Sequence, residues 1–260
     1  MDVGKYLERI GAELAEPSPA ALAHLQRRHL LSVPFENLDI HLKRPIVPDV
    51  ERFYTKIVEN GRGGFCYELN GLFNELLIAL GYTTRLISAR VSDGKGSFGP
   101  EFDHAAVIVS FGSNEYLADV GFGDFTAQPL RLATDIVQHD ACGTFVIRSR
   151  ADGYFEVAER KGSNWEPEYI FTDISRDLEE FREMCDFQQY APESHFTKGR
   201  LCSIMTHSGR KTLTDSKFIV LHNGVRSERE IDFHKDFPKV LEGEFGIREF
   251  NDHAMQLRKK

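Results

Sequence analysis

The sequence predicts an α+β fold in which a helical bundle precedes an antiparallel sheet or barrel. Up to Gly81, apolar residues recur at the three- and four-residue spacings of amphipathic helices. Beyond Gly81 they form short β-prone runs separated by Gly, Ser and Asn. Neither an internal repeat nor a low-complexity linker interrupts the chain. We therefore expect its sections to pack as one compact unit.

Three helices are predicted before the Gly63-Gly64 pair. The first carries an apolar stripe formed by Val3, Leu7, Ile10 and Leu14. The second begins with Ser18 as N-cap and Pro19 at its first position, and it runs to about Leu31. Pro34 ends it, because proline disfavours the helical conformation in the residue before it. The third begins at about Asp49.

A fourth helix starts near Cys66, directly after the two glycines. Its apolar face comprises Leu69, Leu72, Phe73, Leu76, Leu77 and Leu80, and Gly81 stands where a C′ glycine ends a helix. Unpaired N–H groups and the dipole at a helix N-terminus favour a thiolate, so we expect a lowered pKa for Cys66. Taken alone, Cys66 is better interpreted as a small buried cysteine that caps a core helix than as a nucleophile.

Strands are predicted next, in two hairpins that follow a strand at 83–91 and a glycine-rich loop. One hairpin joins 105–111 to 115–120, and the other joins 144–150 to 154–160. The remaining predicted elements are a helix at 177–187, strands at 201–206, 211–214 and 217–222, and a helix at 237–245 that ends near Gly246.

The composition is that of an ordinary globular protein, with 260 residues, 41% apolar and 28% charged. A formal charge of −8 gives no reason to expect nucleic-acid or anionic-membrane partners. The chain has no 18-residue apolar run and no signal-peptide core at its start, so we expect a cytoplasmic protein. Its four cysteines include no CxxC pair, which argues against a metal site or a disulfide framework.

His104 and Asp119 are the predicted partners of Cys66. If residues 111–114 form the turn of the first hairpin, opposed residues sum to 225, and His104 and Asp119 become diagonal neighbours on one face, about 7–8 Å apart at the backbone. His104 would then deprotonate Cys66, and Asp119 would fix the imidazole tautomer. A structural histidine and a turn-capping aspartate remain the alternative. We interpret His24, His29, His41, His139, His222, His234 and His253 as surface residues.

Several stretches resemble the arylamine N-acetyltransferase family. They are residues 6–11 (YLERIG), 33–40 (VPFENLDI), 62–70 (RGGFCYELN), 116–123 (YLADVGFG), 192–196 (PESHF) and 245–247 (FGI). The spacing of 38 residues from Cys66 to His104, and of 15 from there to Asp119, is also that of the family. The resemblance runs along most of the chain, and the nucleophile motif at 62–70 is its most specific part.

The resemblance implies a fold and a chemistry. Residues 1–84 would form a helical bundle carrying the nucleophile, 85–195 a β-barrel carrying the histidine and aspartate, and 196–260 an α/β lid, with a papain-like Cys-His-Asp site. Acetyl-CoA would acylate Cys66, and an arylamine, hydrazine or N-hydroxyarylamine would take the acetyl group in a ping-pong cycle that needs no metal.

The resemblance also implies pocket residues. Phe35, Phe122 and Phe196 would form an apolar wall for the aromatic amine, and Gly121 and Gly123 would let the acyl group or pantetheine arm approach the backbone closely. Arg62 and Glu68 are expected to belong to a buried ionic or capping network near the nucleophile.

Three alternatives remain open. A cysteine hydrolase of papain or transglutaminase type would use water in place of the amine. An amide synthase would use another acyl donor, and a binding module would have an inert Cys66.

Overall fold

The computed structural model describes residues 1–248, and the predicted surface residue His253 lies outside them. The α-helices of this part are α1 (Val3–Ile10), α2 (Pro19–Ser32), α3 (Leu38–Leu42), α4 (Val50–Tyr54), α5 (Cys66–Ala79), α6 (Arg182–Tyr190) and α7 (Phe237–Phe245). A π-helical turn at Thr55–Glu59 extends α4, and 3-10 turns at Leu178–Phe181 and His195–Thr197 flank α6.

The predicted helix ends are largely confirmed. The Ser18 side chain accepts a hydrogen bond from the N–H of Ala21, so it caps α2 with Pro19 at the first position. One end was wrong: α1 stops at Ile10, because Gly11 takes the left-handed conformation with φ 62°. Leu14 therefore lies outside the helix and is exposed.

The strands fall into two antiparallel sheets. They are β1 (Phe35–Glu36), β2 (Thr83–Val91), β3 (His104–Phe111), β4 (Asn114–Ala118), β5 (Leu130–Arg131), β6 (Val137–His139), β7 (Thr144–Ser149), β8 (Phe155–Lys161), β9 (Asn164–Phe171), β10 (Leu201–Thr206), β11 (Gly209–Thr214), β12 (Lys217–His222) and β13 (Val225–Glu230). The larger sheet has the order β5-β4-β3-β2-β9-β8-β7-β6, and the smaller has the order β1-β10-β11-β12-β13.

The larger sheet is nearly closed into a barrel. Thr134, just beyond the edge strand β5, forms a parallel bridge with Ile147 of β7 near the opposite edge. The sheet contains one long strand that sequence reasoning missed, β9, which pairs with both β2 and β8. Its polar first half contains Pro167, which opposes Ala158, and the next residue of β9, Glu168, is left out of the pairing as a bulge.

The smaller sheet draws its edge strand from the N-terminal part of the chain. Phe35 and Glu36 of β1 pair with Ser203 and Cys202 of β10, and α7 packs on this sheet through Leu241 and its neighbours. Neither β1 nor β13 was predicted. The three-section division at 84 and 195 stays a prediction.

Helix α5 lies at the centre of the molecule and contacts both β2 and β3. It was predicted to bury one face, but only three of its residues are not buried, so it is enclosed on nearly every side. The 3-10 turn at Leu178–Phe181 and helix α4 cover its other faces, where the side chains of Leu178 and Phe53 lie against Gly71. Cys66 at its first position is thereby held on a rigid element.

His29 was wrongly predicted to lie on the surface. It is fully buried in the helical bundle, with its ring centroid 6.0 Å from that of Tyr6 and 5.4 Å from that of Phe73. Burial, with Arg9 nearby, lowers the pKa of His29 to about 3. Four other histidines are exposed as predicted: His24, His139, His222 and His234. His41 is half-buried.

Candidate active site

The backbone around Cys66 is shaped by two glycines and a carboxylate. A Cβ at Gly63 would lie 2.0 Å from the carbonyl oxygen of Pro34, so only glycine fits where these two backbone segments approach each other. Glu68 Oε2 accepts a hydrogen bond of 3.1 Å from the N–H of Phe65, which satisfies one free donor at the start of α5. The Cys66 side chain is consequently fixed at the helix start, and the residue is only 4% exposed.

The local electrostatics oppose the predicted lowering of the Cys66 pKa. Burial raises the pKa of the Cys66 thiol well above its ordinary value, and the carboxylates of Asp103 and Asp119 add to the rise. The backbone N–H of Ala105 acts in the opposite direction and favours the thiolate. A thiolate at this position therefore depends on a base that accepts its proton.

The register of the first hairpin is the predicted one. Val107 opposes Ala118 and Phe111 opposes Asn114, so opposed residues sum to 225. The ladder ends at Ala118, and the chain then turns so that Asp119 Oδ2 lies 2.7 Å from His104 Nε2, with both side chains buried. Because Nε2 is engaged by the carboxylate, Nδ1 is the ring nitrogen left for proton transfer.

Asp119 is held as a carboxylate by further donors. Its Oδ1 accepts from Asn70 Nδ2 at 2.8 Å and from the N–H of Gly121 at 2.9 Å, and its Oδ2 accepts from the Tyr169 hydroxyl at 3.2 Å. Burial alone would raise the pKa of Asp119, but His104 and these donors bring it below its ordinary value.

Asn70 and Tyr169 are site residues that sequence reasoning missed. Asn70 follows Cys66 by one helical turn, and its Nδ2 also donates to the carbonyl of Ala105 at 2.6 Å while its Oδ1 accepts from Val120. The available signal in the sequence was the position of Asn70, an amide side chain four residues after Cys66 and therefore on the same face of the predicted helix. Tyr169 had none, because it lies on the unpredicted strand β9.

A cavity of about 350 Å³ opens beside these residues. Cys66, His104, Phe35, Gly121, Phe122 and Phe196 line it, together with Asp103 and His195, among others. The His104 and Phe122 rings meet edge-to-face, with centroids 5.1 Å apart, and the Phe35 and Phe196 centroids are 6.1 Å apart. The cavity thus presents sulfur and imidazole on one wall and aromatic rings beside them.

The two predicted pocket glycines have different surroundings. A Cβ at Gly121 would lie 2.9 Å from the Cα of Cys66 and 2.7 Å from Asn70 Nδ2, so this glycine allows the hairpin end to lie against the helix start. Gly123 is not among the residues that line the cavity, and it has open space around it. Its φ of 100° explains the glycine by backbone conformation instead.

Arg62 and Glu68 belong to one buried ionic network without pairing directly. Arg62 Nη2 lies 2.7 Å from Glu36 and 3.0 Å from Asp39, and Lys56 Nζ lies 2.9 Å from both Asp39 and Glu68. Burial raises the pKa of Glu68 to about 7 in spite of Lys56. The network ties the nucleophile loop to β1 and to the π-helical turn.

Residues 1–248 contain neither a candidate metal site nor a membrane-spanning helix. No group of three or more His, Cys, Asp or Glu side chains there has an arrangement suited to a metal ion. In the same range no helix combines the length and apolarity needed to cross a bilayer.

Comparison with known proteins gives consistent results along the chain. The family model described as N-acetyltransferase matches residues 20–252. The pineal gland arylamine N-acetyltransferase isozyme NAT-3 of Gallus gallus is 31% identical, over 95% of this chain and 94% of the relative. The proansamycin X synthase of Amycolatopsis mediterranei is 30% identical, over 94% of this chain and 98% of the relative.

A solved structure is similar in fold as well. The arylamine N-acetyltransferase of Mycobacterium marinum in complex with CoA matches with a TM-score of 0.87 and 28% identity, over 95% of this chain and 93% of that one. Because the family model and the relatives both extend over most of the chain, this protein belongs to the arylamine N-acetyltransferase family of acyltransferases.

Proposed function

We propose that this protein transfers acetyl from acetyl-CoA to an arylamine, hydrazine or N-hydroxyarylamine through a thioester on Cys66. The observation that carries the proposal is the shared cavity wall of Cys66 and His104, with the imidazole hydrogen-bonded to a buried carboxylate. The CoA complex of the Mycobacterium marinum protein supports the donor. Four free cysteines suit a reducing compartment, and we place the reaction in the cytoplasm.

In the first half-reaction, Nδ1 of His104 takes the thiol proton as Sγ of Cys66 attacks the acetyl carbonyl carbon. The C–S bond to CoA then breaks, and the CoA thiolate receives the proton from His104. Asp119 stabilises the imidazolium that forms between these steps. Proton transfer to His104 during the attack forms the thiolate, which the raised pKa of Cys66 would otherwise disfavour.

The oxyanion of each tetrahedral intermediate needs hydrogen-bond donors. The N–H of Cys66 is one of the free donors at the start of α5, and we assign it this role. We expect a second donor from the N–H of Asp103, which precedes the imidazole along the chain.

In the second half-reaction the amine nitrogen attacks the thioester. His104 removes a proton from that nitrogen and gives it to the Cys66 sulfur as the C–S bond breaks, so the free thiol is regenerated. Phe35, Phe122 and Phe196 provide the flat apolar surface that an aromatic acceptor needs.

The test is mass spectrometry of the protein after incubation with acetyl-CoA alone. We expect a single acetyl adduct on Cys66, released on addition of an arylamine, and none in the Cys66→Ala variant. The matched control is Cys142→Ala, which removes an exposed thiol and should still acquire the adduct. Continuous CoA release without amine would contradict the proposal and favour a hydrolase, and a Cys66 inert to iodoacetamide would favour a binding module.

A second candidate, an amide synthase, is favoured by the similarity to proansamycin X synthase. The two functions differ in the acyl donor and share the Cys66 thioester. A panel of acyl donors separates them: acetyl-CoA should acylate Cys66 faster than larger or carrier-bound acyl thioesters if the protein is an acetyltransferase. The reverse order would favour the synthase.

A further inference from the structure

Two acidic side chains line the cavity beside Cys66 without a role in the proposed chemistry: Asp93, which is exposed, and Asp103, which is half-buried. Asp103 lines it between the 92–99 loop and α6, and its Oδ1 accepts a hydrogen bond of 2.8 Å from Gln188 Nε2. Ser194 Oγ donates to Gln188 Oε1 at 2.6 Å, so the amide can present only its NH₂ group to the carboxylate. The position of the Asp103 carboxylate is therefore fixed by two further residues.

The charge of Asp103 reaches the reacting groups. Burial raises the pKa of Asp103, whereas His104, His195 and the Gln188 amide favour the ionised form. The same carboxylate contributes to the raised pKa of the Cys66 thiol. Because Asp103 is half-buried, its charge is screened less by solvent than a charge on the open surface.

Within the part of the chain that the structure describes, no Lys or Arg side chain lines the cavity to balance this carboxylate for an incoming ligand. The remaining polar groups are histidines, Ser92 and a second carboxylate, Asp93, at the exposed rim. A carboxylate on the acceptor would lose its hydration without gaining an ion-pair partner, and it would meet a like charge.

We propose that Asp103 makes the acceptor site select against amines that carry a carboxylate, and in favour of uncharged arylamines of the same shape. The inference rests on the proposed acetyl transfer and adds the charge class of the acceptor to it. Asp103 acts here on substrate choice, whereas His104 moves the proton.

The experiment compares 4-aminobenzoate with 4-aminobenzamide, which share the ring and the para carbonyl but differ in charge. The readout is the ratio of their kcat/KM values for the acetylated enzyme, so effects on Cys66 acetylation cancel. Asp103→Asn keeps an oxygen for Gln188, and we expect it to raise the benzoate-to-benzamide ratio roughly tenfold, because it removes a like charge from the acceptor site. Asp103→Ser removes the charge with a smaller side chain and should act in the same direction.

A matched control removes a nearby charge that does not line the cavity. Glu193→Gln lies two residues before His195 at an exposed position and should leave the ratio within twofold of wild type. An unchanged ratio in both Asp103 variants, or an equal rise in the Glu193 variant, would overturn the inference. Equal loss of both activities would overturn it too, because it would mark Asp103 as structural.

A binding measurement separates this inference from the proposed function. Ligand-observed NMR titrations of the two compounds can be made on Cys66→Ala and on Cys66→Ala/Asp103→Asn, neither of which turns over. Tighter binding of the benzoate only in the double variant would support selection by Asp103 even if acetyl transfer failed. Equal benzoate affinity in both variants would refute it.

Discussion

Replacement of Asp119 by Asn should abolish most of the transferase activity while leaving the fold intact. The reason lies in the donors around the carboxylate. Oδ1 accepts from two groups that can only donate, Asn70 Nδ2 and the N–H of Gly121. Oδ2 faces His104 Nε2 and the Tyr169 hydroxyl, each of which can donate or accept. The amide oxygen of Asn must therefore take the Oδ1 position.

The amide NH₂ group then faces His104 and donates to Nε2. This moves the single imidazole proton to Nδ1, the nitrogen that would have to accept the proton of Cys66. The wrong tautomer should lower kcat about 10⁴-fold, the size known for the same replacement of an orienting aspartate in a catalytic triad. Stability should fall by only ~1 kcal/mol, because every hydrogen bond keeps a partner.

The assay is single-turnover acetylation of Cys66, followed by CoA release, with unfolding in urea measured in parallel. Nitrogen chemical shifts of His104 give the tautomer directly. The control is Tyr169→Phe, which removes one hydrogen-bond donor to Asp119 but leaves the imidazole tautomer unchanged. It should lower the rate of acetylation less than tenfold. An Asp119→Asn variant within tenfold of wild type would refute the tautomer argument.

Three further predictions concern the surrounding structure. Gly121→Ala should lower Tm and slow acetylation, because its Cβ would lie 2.9 Å from the Cα of Cys66; a thermal scan showing an unchanged Tm would count against this. His29 has a pKa of about 3 in the folded state, below its unfolded value, so its protonation favours the unfolded chain as the pH falls below about 6.5. The free energy of unfolding should be lower by ~2 kcal/mol at pH 5 for this reason. Urea unfolding at pH 7 and pH 5 should show a smaller acid loss for His29→Leu than for wild type, and equal losses would contradict the assignment. Lys56→Met should lower the free energy of unfolding by about 3–5 kcal/mol, because it leaves buried carboxylates without their cation. Lys161→Met removes an exposed ion pair and should cost less than about 1 kcal/mol in the same urea assay. Similar losses in the two variants would refute the distinction.

Local features of the structure were predictable because their causes lie within a few residues. The cap at Ser18 and the left-handed glycine at Gly81 follow from side-chain and backbone chemistry at single positions. The pairing of β3 with β4 follows from the length of one turn, which fixes their register, although Asp119 itself lies one residue beyond the end of the ladder.

Other features depended on partners far along the chain. The short strand β1 exists because β10, more than 160 residues later, supplies its hydrogen bonds. His29 looks like a surface residue beside two arginines, and only the packing of α1 and α5 against α2 buries it. Strand β9 was not predicted from the sequence, and only its pairing with β2 and β8 defines it as a strand in spite of Pro167.

The candidate site divides in the same way. From the sequence alone, Cys66 could be placed at the start of α5, and His104 and Asp119 at the two ends of one hairpin. The tertiary structure decided that Asn70 and Tyr169 hold Asp119, and that burial raises the thiol pKa instead of the helix start lowering it. The physical reason is that turn length and capping act between neighbours, whereas burial and its electrostatic consequences depend on every element that closes around a side chain.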